Sequence, residues 1–529
     1  MQSAKSRFTK PVTPLGKLGI CRTALFAVMA LFLASCATGP GDYTKTVTRS
    51  LENTEGTFLA RAVARAGDPR DGRTGVKLVA DGPEALELRL AIAEKAERTI
   101  DAQYYLLHND EAGHLFAWSL VKAAERGVRV RLLIDDMDVA QYDAMSAALD
   151  KHPNIEIRLF NPFKRGFGKN VASLFEFNRV TRRMHNKSMT GDAVLSLVGG
   201  RNIGNEYFAA EEDSNYNDLD VLVAGPVAGQ VSRTFDDYWN STYAVPVSVA
   251  VQDRRNDLTL EEAMTRLSSL ANAAEKSSFG SSLTKDARKR IGSSRLDLTW
   301  VPAKLIADPP EKAAGEAEAE TLVAGQLLPY LDRARSSLYV SSAYFVPRQR
   351  GVDYLSALSA RGVDVHILTN SVDSTDVLPV YGKYARSRED LLSAGVSLYE
   401  LRADAERQDR ERLGLGLSQS SLHTKAFILD ESYLFVGSFN WDPRSVWLNN
   451  EMGILIESPV LAREWLPFFK RHLRKNAFKL QLDETGGIDW LTYLEDDGVS
   501  VLYRDEPTSS GWRLFKSRVY GVLPFGKQL

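Results

Sequence analysis

Cysteine is almost absent from this chain of 529 residues: Cys21 and Cys36 are the two, and both lie near its start. With Cys21 inside a leader that is removed, the rest has no disulfide framework, no cysteine nucleophile and no thiolate metal site. Long apolar runs are missing too. The most apolar stretch, Ala24 to Leu33, falls well short of the roughly 20 residues that a bilayer-spanning helix needs. There is no surplus of positive charge: the formal net charge is −2, which counts modestly against nucleic acid as a partner. Histidine is scarce at seven residues, so a histidine pattern that recurs carries information. What is present, 44% hydrophobic and 25% charged residues, is ordinary globular composition in a chain long enough for two packed domains.

Residues 1–35 carry Lys5, Arg7, Lys10, Lys17 and Arg22 and no acid, then the short apolar core and small residues. That order makes an export signal. It ends Leu33-Ala34-Ser35-Cys36, which resembles the bacterial lipobox; the resemblance implies cleavage before Cys36 and a diacylglyceryl group on its sulfur. A lipid-anchored lipoprotein of the cell envelope facing the periplasm is expected, and Ala37, where inner-membrane retention usually has Asp, points to the outer membrane. Without the five leader cations, 61 basic residues face 68 acidic ones, a net charge of −7. Residues 36–75 read as a polar tether.

From there the chain is built twice. A strand from Arg98 to Tyr105 is followed by a helix from Glu111 to Arg126, a stop at Gly127 and a strand from Val128 to Ile134. The second half repeats this with Ser337 to Phe345, a helix to Ala360, Arg361-Gly362 and the strand Val363 to Thr369. Each is a βαβ unit with parallel pairing, and copies so far apart are duplicated domains, not a solenoid. The expected fold is α/β: two similar mixed or parallel sheets flanked by helices, with the site between the halves. Residues 76–245 and 313–480 form the domains, 246–312 bridging helices, and 481–529 a C-terminal extension.

Each half contains His-x-Lys-x4-Asp and then a Gly-rich turn ending in Asn: His185, Lys187, Asp192 and Asn202; His423, Lys425, Asp430 and Asn440. One match is compatible with a buried structural histidine; two, at corresponding places of a repeat, are not chance. Alternation along a strand puts His185 and Lys187 on one face, and likewise His423 and Lys425. Neither half alone supplies both a nucleophile and an acid; facing each other, they do. His108, His114, His152, His366 and His472 have no counterpart and read as structural or surface residues.

On these motifs the chain resembles the phospholipase D superfamily with two HKD motifs, from about residue 80 to 480. The resemblance implies that one histidine attacks phosphorus to form a phosphohistidine while the other protonates the leaving alcohol and activates the incoming one. Lys187, Lys425, Asn202 and Asn440 would hold the non-bridging oxygens, and no metal or cofactor is required. A carboxylate should fix each histidine's tautomer; the family's pattern places Asp218 and Glu451 there, with Asp220 a rival in the first half. Asp192 and Asp430 would brace the site. The first turn has Gly200 where the second has Ser438, which would weaken one phosphate contact. The family often gives the attack to the N-terminal histidine, here His185, but the symmetry of the repeat leaves this open.

Gln103-Tyr104-Tyr105, Arg182 to Lys187, Gly199 to Gly204 and Phe208, with Leu523-Pro524, are similar to bacterial cardiolipin synthases of the C type. This implies phosphatidyl transfer onto phosphatidylglycerol, with phosphatidylethanolamine as a candidate donor, at a membrane reached through acylated Cys36. A phospholipase D making phosphatidic acid is the alternative and a nuclease of the same superfamily the second; nucleic acid is not the expected partner. Lys164 to Lys169 could meet anionic headgroups or be a solvated loop. Trp512 to Leu523 could lie in the membrane interface or pack on the body.

Overall fold

The computed structural model describes residues 43–523 apart from 68–70, 138–141, 164, 166–176, 212–213, 252–257, 284, 294, 405–418 and 494–499. The leader, Cys36 and all of Lys164 to Lys169 except Arg165 lie outside the described residues. No described helix is long and apolar enough to cross a membrane.

The repeat is built as two large mixed sheets. In the first, nine strands run in the spatial order Thr299–Val301, Thr74–Val79, Asp220–Ala224, Leu195–Gly199, Ser188–Gly191, Thr99–Tyr104, Arg129–Asp135, Ile155–Phe160 and Ala244–Pro246. The second has ten: Ala303–Ala307, Met452–Glu457, Tyr433–Gly437, Lys425–Leu429, Ser337–Ser342, Asp364–Asn370, Ser397–Leu401, Ala477–Leu482, Ile488–Tyr493 and Ser500–Tyr503. Parallel pairing is confined to the βαβ strands of each sheet, Thr99–Tyr104 through Ile155–Phe160 and Ser337–Ser342 through Ser397–Leu401.

The crossover helices stop where glycine allows it. Glu111–Glu125 ends with Gly127 at φ +89°, its N–H donating to Ala124 and that of Val128 to Ala123; Arg348–Ala360 ends with Gly362 at φ +87°, bonded to Ser359, with Val363 bonded to Leu358. A side chain in this left-handed conformation would be strained, and the paired bonds satisfy the last carbonyls of each helix. Asp110 caps the first helix through Gly113 N–H at 2.8 Å.

The two sheets are pressed together by apolar faces. Val198, Val221 and Val223 from the first pack in one buried cluster with Val436, Ile454 and Ile456 from the second. At Pro302 the chain passes directly from the last strand of one sheet to the first of the other. Much of the segment read as a bridge therefore belongs to the first half. Leu260–Lys276 packs on Glu111–Glu125 and Asp286–Gly292 on Gly82–Lys95.

Two other boundaries shift. From Lys45 onward the stretch read as a tether is docked: Arg131 and Arg158, both buried, donate to the carbonyls of Thr48 and Thr46 at 2.9 and 2.6 Å, and Ser50 binds Asp236. Helix Phe58–Ala66 buries Leu59, Ala62 and Val63 against the core. The C-terminal extension contributes its hairpin to the edge of the second sheet.

Candidate active site

Each motif histidine lies just ahead of a strand, where its backbone is bonded to the opposite half. His185 N–H donates to the Asn450 carbonyl at 2.8 Å, and Asn450 N–H to Arg183 at 2.8 Å. His423 N–H donates to the Asn217 carbonyl at 2.9 Å, continuing the parallel pairing of Gln419–Leu422 with Ser214–Asn217. The residue after each acceptor is an acid. Nδ1 of His185 therefore meets Oε2 of Glu451 at 2.8 Å, and Nδ1 of His423 meets Oδ2 of Asp218 at 2.6 Å. The two carboxylates stand at histidines, each at the histidine of the other half. Asp220 does not: it pairs with Arg89 at 3.0 Å and lies 3.5 Å from Arg201.

Lys187 and Lys425 are buried, and each Nζ donates to the carbonyl of its own motif histidine, at 2.6 Å for Lys187 and in a short contact for Lys425. Asn202 accepts from Leu106 N–H at 3.3 Å and donates to the Tyr207 hydroxyl at 2.8 Å. Asn440 accepts from Tyr344 N–H at 3.2 Å. These amides tie the turns to the segments that follow the central strands.

Ser438 needs a larger correction. Its hydroxyl donates to Glu451 Oε2 at 2.5 Å and accepts from Met452 N–H at 3.0 Å. It braces a carboxylate and is not a phosphate contact. The first half has no room for the equivalent: a Cβ on Gly200 would stand 2.3 Å from Asp218 Oδ1. Asp218 instead accepts from its neighbour Leu219 N–H at 2.8 Å.

The motif aspartates sit at the far ends of their strands. Asp192 accepts from the backbone N–H groups of Glu97, Arg98 and Thr99, and Asp430 from those of Arg335, Ser336 and Ser337. Both have positive φ, 50° and 49°. They fix the start of the central strand in each sheet and do not touch the histidines.

Among the wall residues only Tyr105, in Gln103-Tyr104-Tyr105, carried a signal in the sequence. Tyr105 meets His185 edge-on at 5.0 Å, while Tyr207 and Tyr216 lie 5.2 and 5.0 Å from His423. Asp376 binds the hydroxyls of Tyr344 at 2.8 Å and Tyr216 at 3.4 Å. Glu451 N–H donates to Asp308, itself paired with Lys312 at 2.6 Å, and Ser445 donates to Glu451 Oε1 at 2.8 Å. Arg165, from the basic loop before the first motif, turns inward to Asp136 and Asp143. His108 pairs with Glu206, His152 with Glu125 and His366 with Asp364. Among the described residues, His108, Asp110 and Glu206 could converge on a metal ion, although Asp110 is already used as a helix cap.

The site is electrostatically uneven. Burial, followed by the charges of Lys187, Lys425 and His423, pushes His185 well below the ordinary imidazole range. His423 is also lowered, by burial and then Lys425, but Asp218 opposes the shift. Burial pushes Glu451 up to about 7 against the pull of Lys187 and the Ser438 hydroxyl. Burial acts upward on Asp218 too, yet His423 and Lys425 outweigh it and hold that carboxyl below its ordinary value. Burial lowers Lys187 strongly and Lys425 to about 8. Asp218 thus holds His423 closer to the ordinary imidazole range than His185, whose pairing with Glu451 leaves a neutral imidazole.

A duplicated α/β chain in which each half fixes the other's histidine defines an enzyme with one paired-histidine site. The family described as "Cardiolipin synthase, PLD-like domain" matches residues 90–239 and 327–473. The chain belongs to the phospholipase D superfamily, among its cardiolipin synthase-like members. Cardiolipin synthase C of Escherichia coli (strain K12) is 37% identical over 477 residues, 88% of this chain and 98% of that protein. An uncharacterized protein of Helicobacter pylori (strain J99 / ATCC 700824) is 31% identical over 402 residues, 75% of this chain and 79% of that one. The crystal structure of phosphatidylserine synthase from Haemophilus influenzae Rd KW20 superposes with a TM-score of 0.52 over 80% of this chain and 92% of that chain, at 14% identity. That likeness is one of fold alone.

Proposed function

We propose that this protein is a phosphatidyltransferase that makes cardiolipin by moving a phosphatidyl group onto phosphatidylglycerol through a phosphohistidine. The observation that carries the reading is the exchange of carboxylates between halves, which leaves two buried histidines with unequal surroundings. With Nδ1 of each committed to its carboxylate, Nε2 is the nitrogen left to react. Neutral His185 attacks phosphorus, and His423, whose cationic form Asp218 favours against burial and Lys425, gives its proton to the departing headgroup alcohol. His423 then takes the proton of the terminal hydroxyl of a second phosphatidylglycerol, whose oxygen displaces His185 from phosphorus. Lys187 and Lys425 exchange their backbone carbonyls for the non-bridging oxygens, whose charge is greatest in the transition state, with Asn202 and Asn440 at the turns beside them. The strong similarity to a cardiolipin synthase over nearly its whole length supports the lipid substrate. An acyl group on Cys36 would hold the enzyme at the envelope membrane that contains it, on the periplasmic side.

The test is lipid mass spectrometry after incubation with phosphatidylglycerol vesicles, with and without phosphatidylethanolamine. Cardiolipin from the wild type and none from His185→Ala or His423→Ala is the expected result, and a dependence on phosphatidylethanolamine identifies the donor. Phosphatidic acid alone would make the enzyme a phospholipase D. No lipid product would overturn the reading and turn attention to nucleic-acid phosphodiesters.

A further inference from the structure

The last helix, Gly511–Val522, is packed on one side only. Its inner face is made of small residues: Ser517 and Gly521 lie so close to Gly382 that a Cβ there would stand 2.1 Å from the Ser517 carbonyl oxygen and 2.9 Å from Gly521 N. Lys383 donates to the carbonyls of Gly521 and Leu523 at 2.9 and 2.6 Å, and Arg386 to Gly521 at 3.1 Å, so cations of the body close the end of the helix. Among the described residues nothing covers the outer face. Trp512, Phe515, Val519 and Val522 are 65%, 55%, 39% and 69% exposed, and their spacing aligns them as one stripe. The rings of Trp512 and Phe515 stack at 5.4 Å, which makes the first turn of the stripe a continuous aromatic surface.

Charge says what covers that stripe. Lys516 borders it on one side, its ammonium 5.9 Å from the Trp512 ring, and exposed Arg518 borders it on the other. No acidic residue follows Glu506 in a chain whose net charge is negative. Two copies of this face brought together would set Lys516 and Arg518 against each other with no acid on the helix to answer them. An anionic bilayer surface suits it: aromatics and valines enter the headgroup layer while the cations stay level with the phosphates.

The position of the helix gives the contact a use. Arg513 donates to the Val372 carbonyl at 2.7 Å and to that of Thr375, and Thr508 to Asp373 at 2.8 Å. The same turn carries Asp376, which binds Tyr344 and Tyr216, and Tyr216 lies against His423. One short turn thus joins the helix to the wall of the histidine site.

We propose that the exposed face of Gly511–Val522 rests in the headgroup layer of an anionic bilayer and holds the wall of the site against it. The contact needs no turnover; its use in admitting lipid rests on the phosphatidyl-transfer reading. The test places the full chain carrying His423→Ala in vesicles of phosphatidylglycerol and phosphatidylcholine brominated near the headgroup. The emission of Trp512 is read as the difference between that protein and its Trp512→Phe counterpart. Brominated lipid is expected to lower this emission at least twofold, and less in vesicles of phosphatidylcholine alone. Emission that ignores brominated lipid but is freely quenched by aqueous acrylamide would overturn the proposal. So would emission that ignores both quenchers, which would mean that protein covers the face. Because the variant is impaired in turnover, an absence of cardiolipin synthesis by the wild type would sink the functional reading and leave this result untouched.

Discussion

Glu451 carries the asymmetry of the site. Its carboxyl is wholly buried and held by His185, Ser438 and Ser445, and burial raises its pKa to about 7. An acid raised in this way binds its proton more readily folded than unfolded, so the stabilisation is complete at low pH and is lost as pH rises towards 7. The cost of ionising it in place is ~3 kcal/mol. Glu451→Gln removes that cost: it is expected to melt a few degrees above wild type at pH 8, to converge with it at pH 5, and to lose turnover about a hundredfold. A lower melting temperature at pH 8 would contradict this. Lys425 gives a second handle. Its ammonium, lowered to about 8 by burial, is charged below that pH and neutral above it, so kcat/KM should fall on the alkaline side of 8. Lys425→Arg, whose guanidinium does not titrate there, should retain some activity and lose that limb. The histidines and lysines were legible in the sequence because they recur. Their carboxylates were legible as residues but not as partners, since the alignment of two strands cannot tell which half each acid faces. Tyr216 and Asp376 were not legible, because a short strand and a turn distant in sequence bring them to the wall.

The elements themselves were read well where periodicity and glycine stops fix them. The first crossover helix begins at Glu111, and both end within a residue of Arg126 and Ala360, where Gly127 and Gly362 stop them. The composition of a helix does not say what it packs on, and Leu260–Lys276 presents Ala263, Leu267 and Ala274 to the core of the first half. Asp192 shows why the third motif residue recurs although it stands away from the chemistry. Buried and with positive φ, it satisfies three backbone donors at the entry to the strand Thr99–Tyr104. Asp192→Ala strands those donors and is expected to cost ~2–4 kcal/mol, read as a shifted urea midpoint, while turnover per folded molecule stays within about twofold. Asp192→Asn, which keeps an acceptor and tolerates the left-handed backbone, should recover much of that stability. A hundredfold loss of turnover with an unchanged midpoint would place the residue in the chemistry instead.

At the scale of the whole molecule, duplication turned one motif into two roles. The halves share the order of eight strands, the same motif and the same brace, yet Ser438 and Ser445 surround one carboxylate while Gly200 leaves the other close to its backbone. Because each acid crosses to the opposite histidine, the site exists only when both halves are docked, and the shared apolar layer between the sheets enforces that docking. In the proposed mechanism the unequal pairs give His185 the attack and His423 the proton transfer. The most direct measurement offers a short-chain phosphatidyl ester with a p-nitrophenol leaving group, which needs no acid to depart, to the His423→Ala protein and maps the adduct by peptide mass spectrometry. A phosphatidyl group that accumulates on His185 is the predicted result. An adduct on His423 in the His185→Ala protein, with none on His185 in the reciprocal variant, would reverse the assignment and contradict the account.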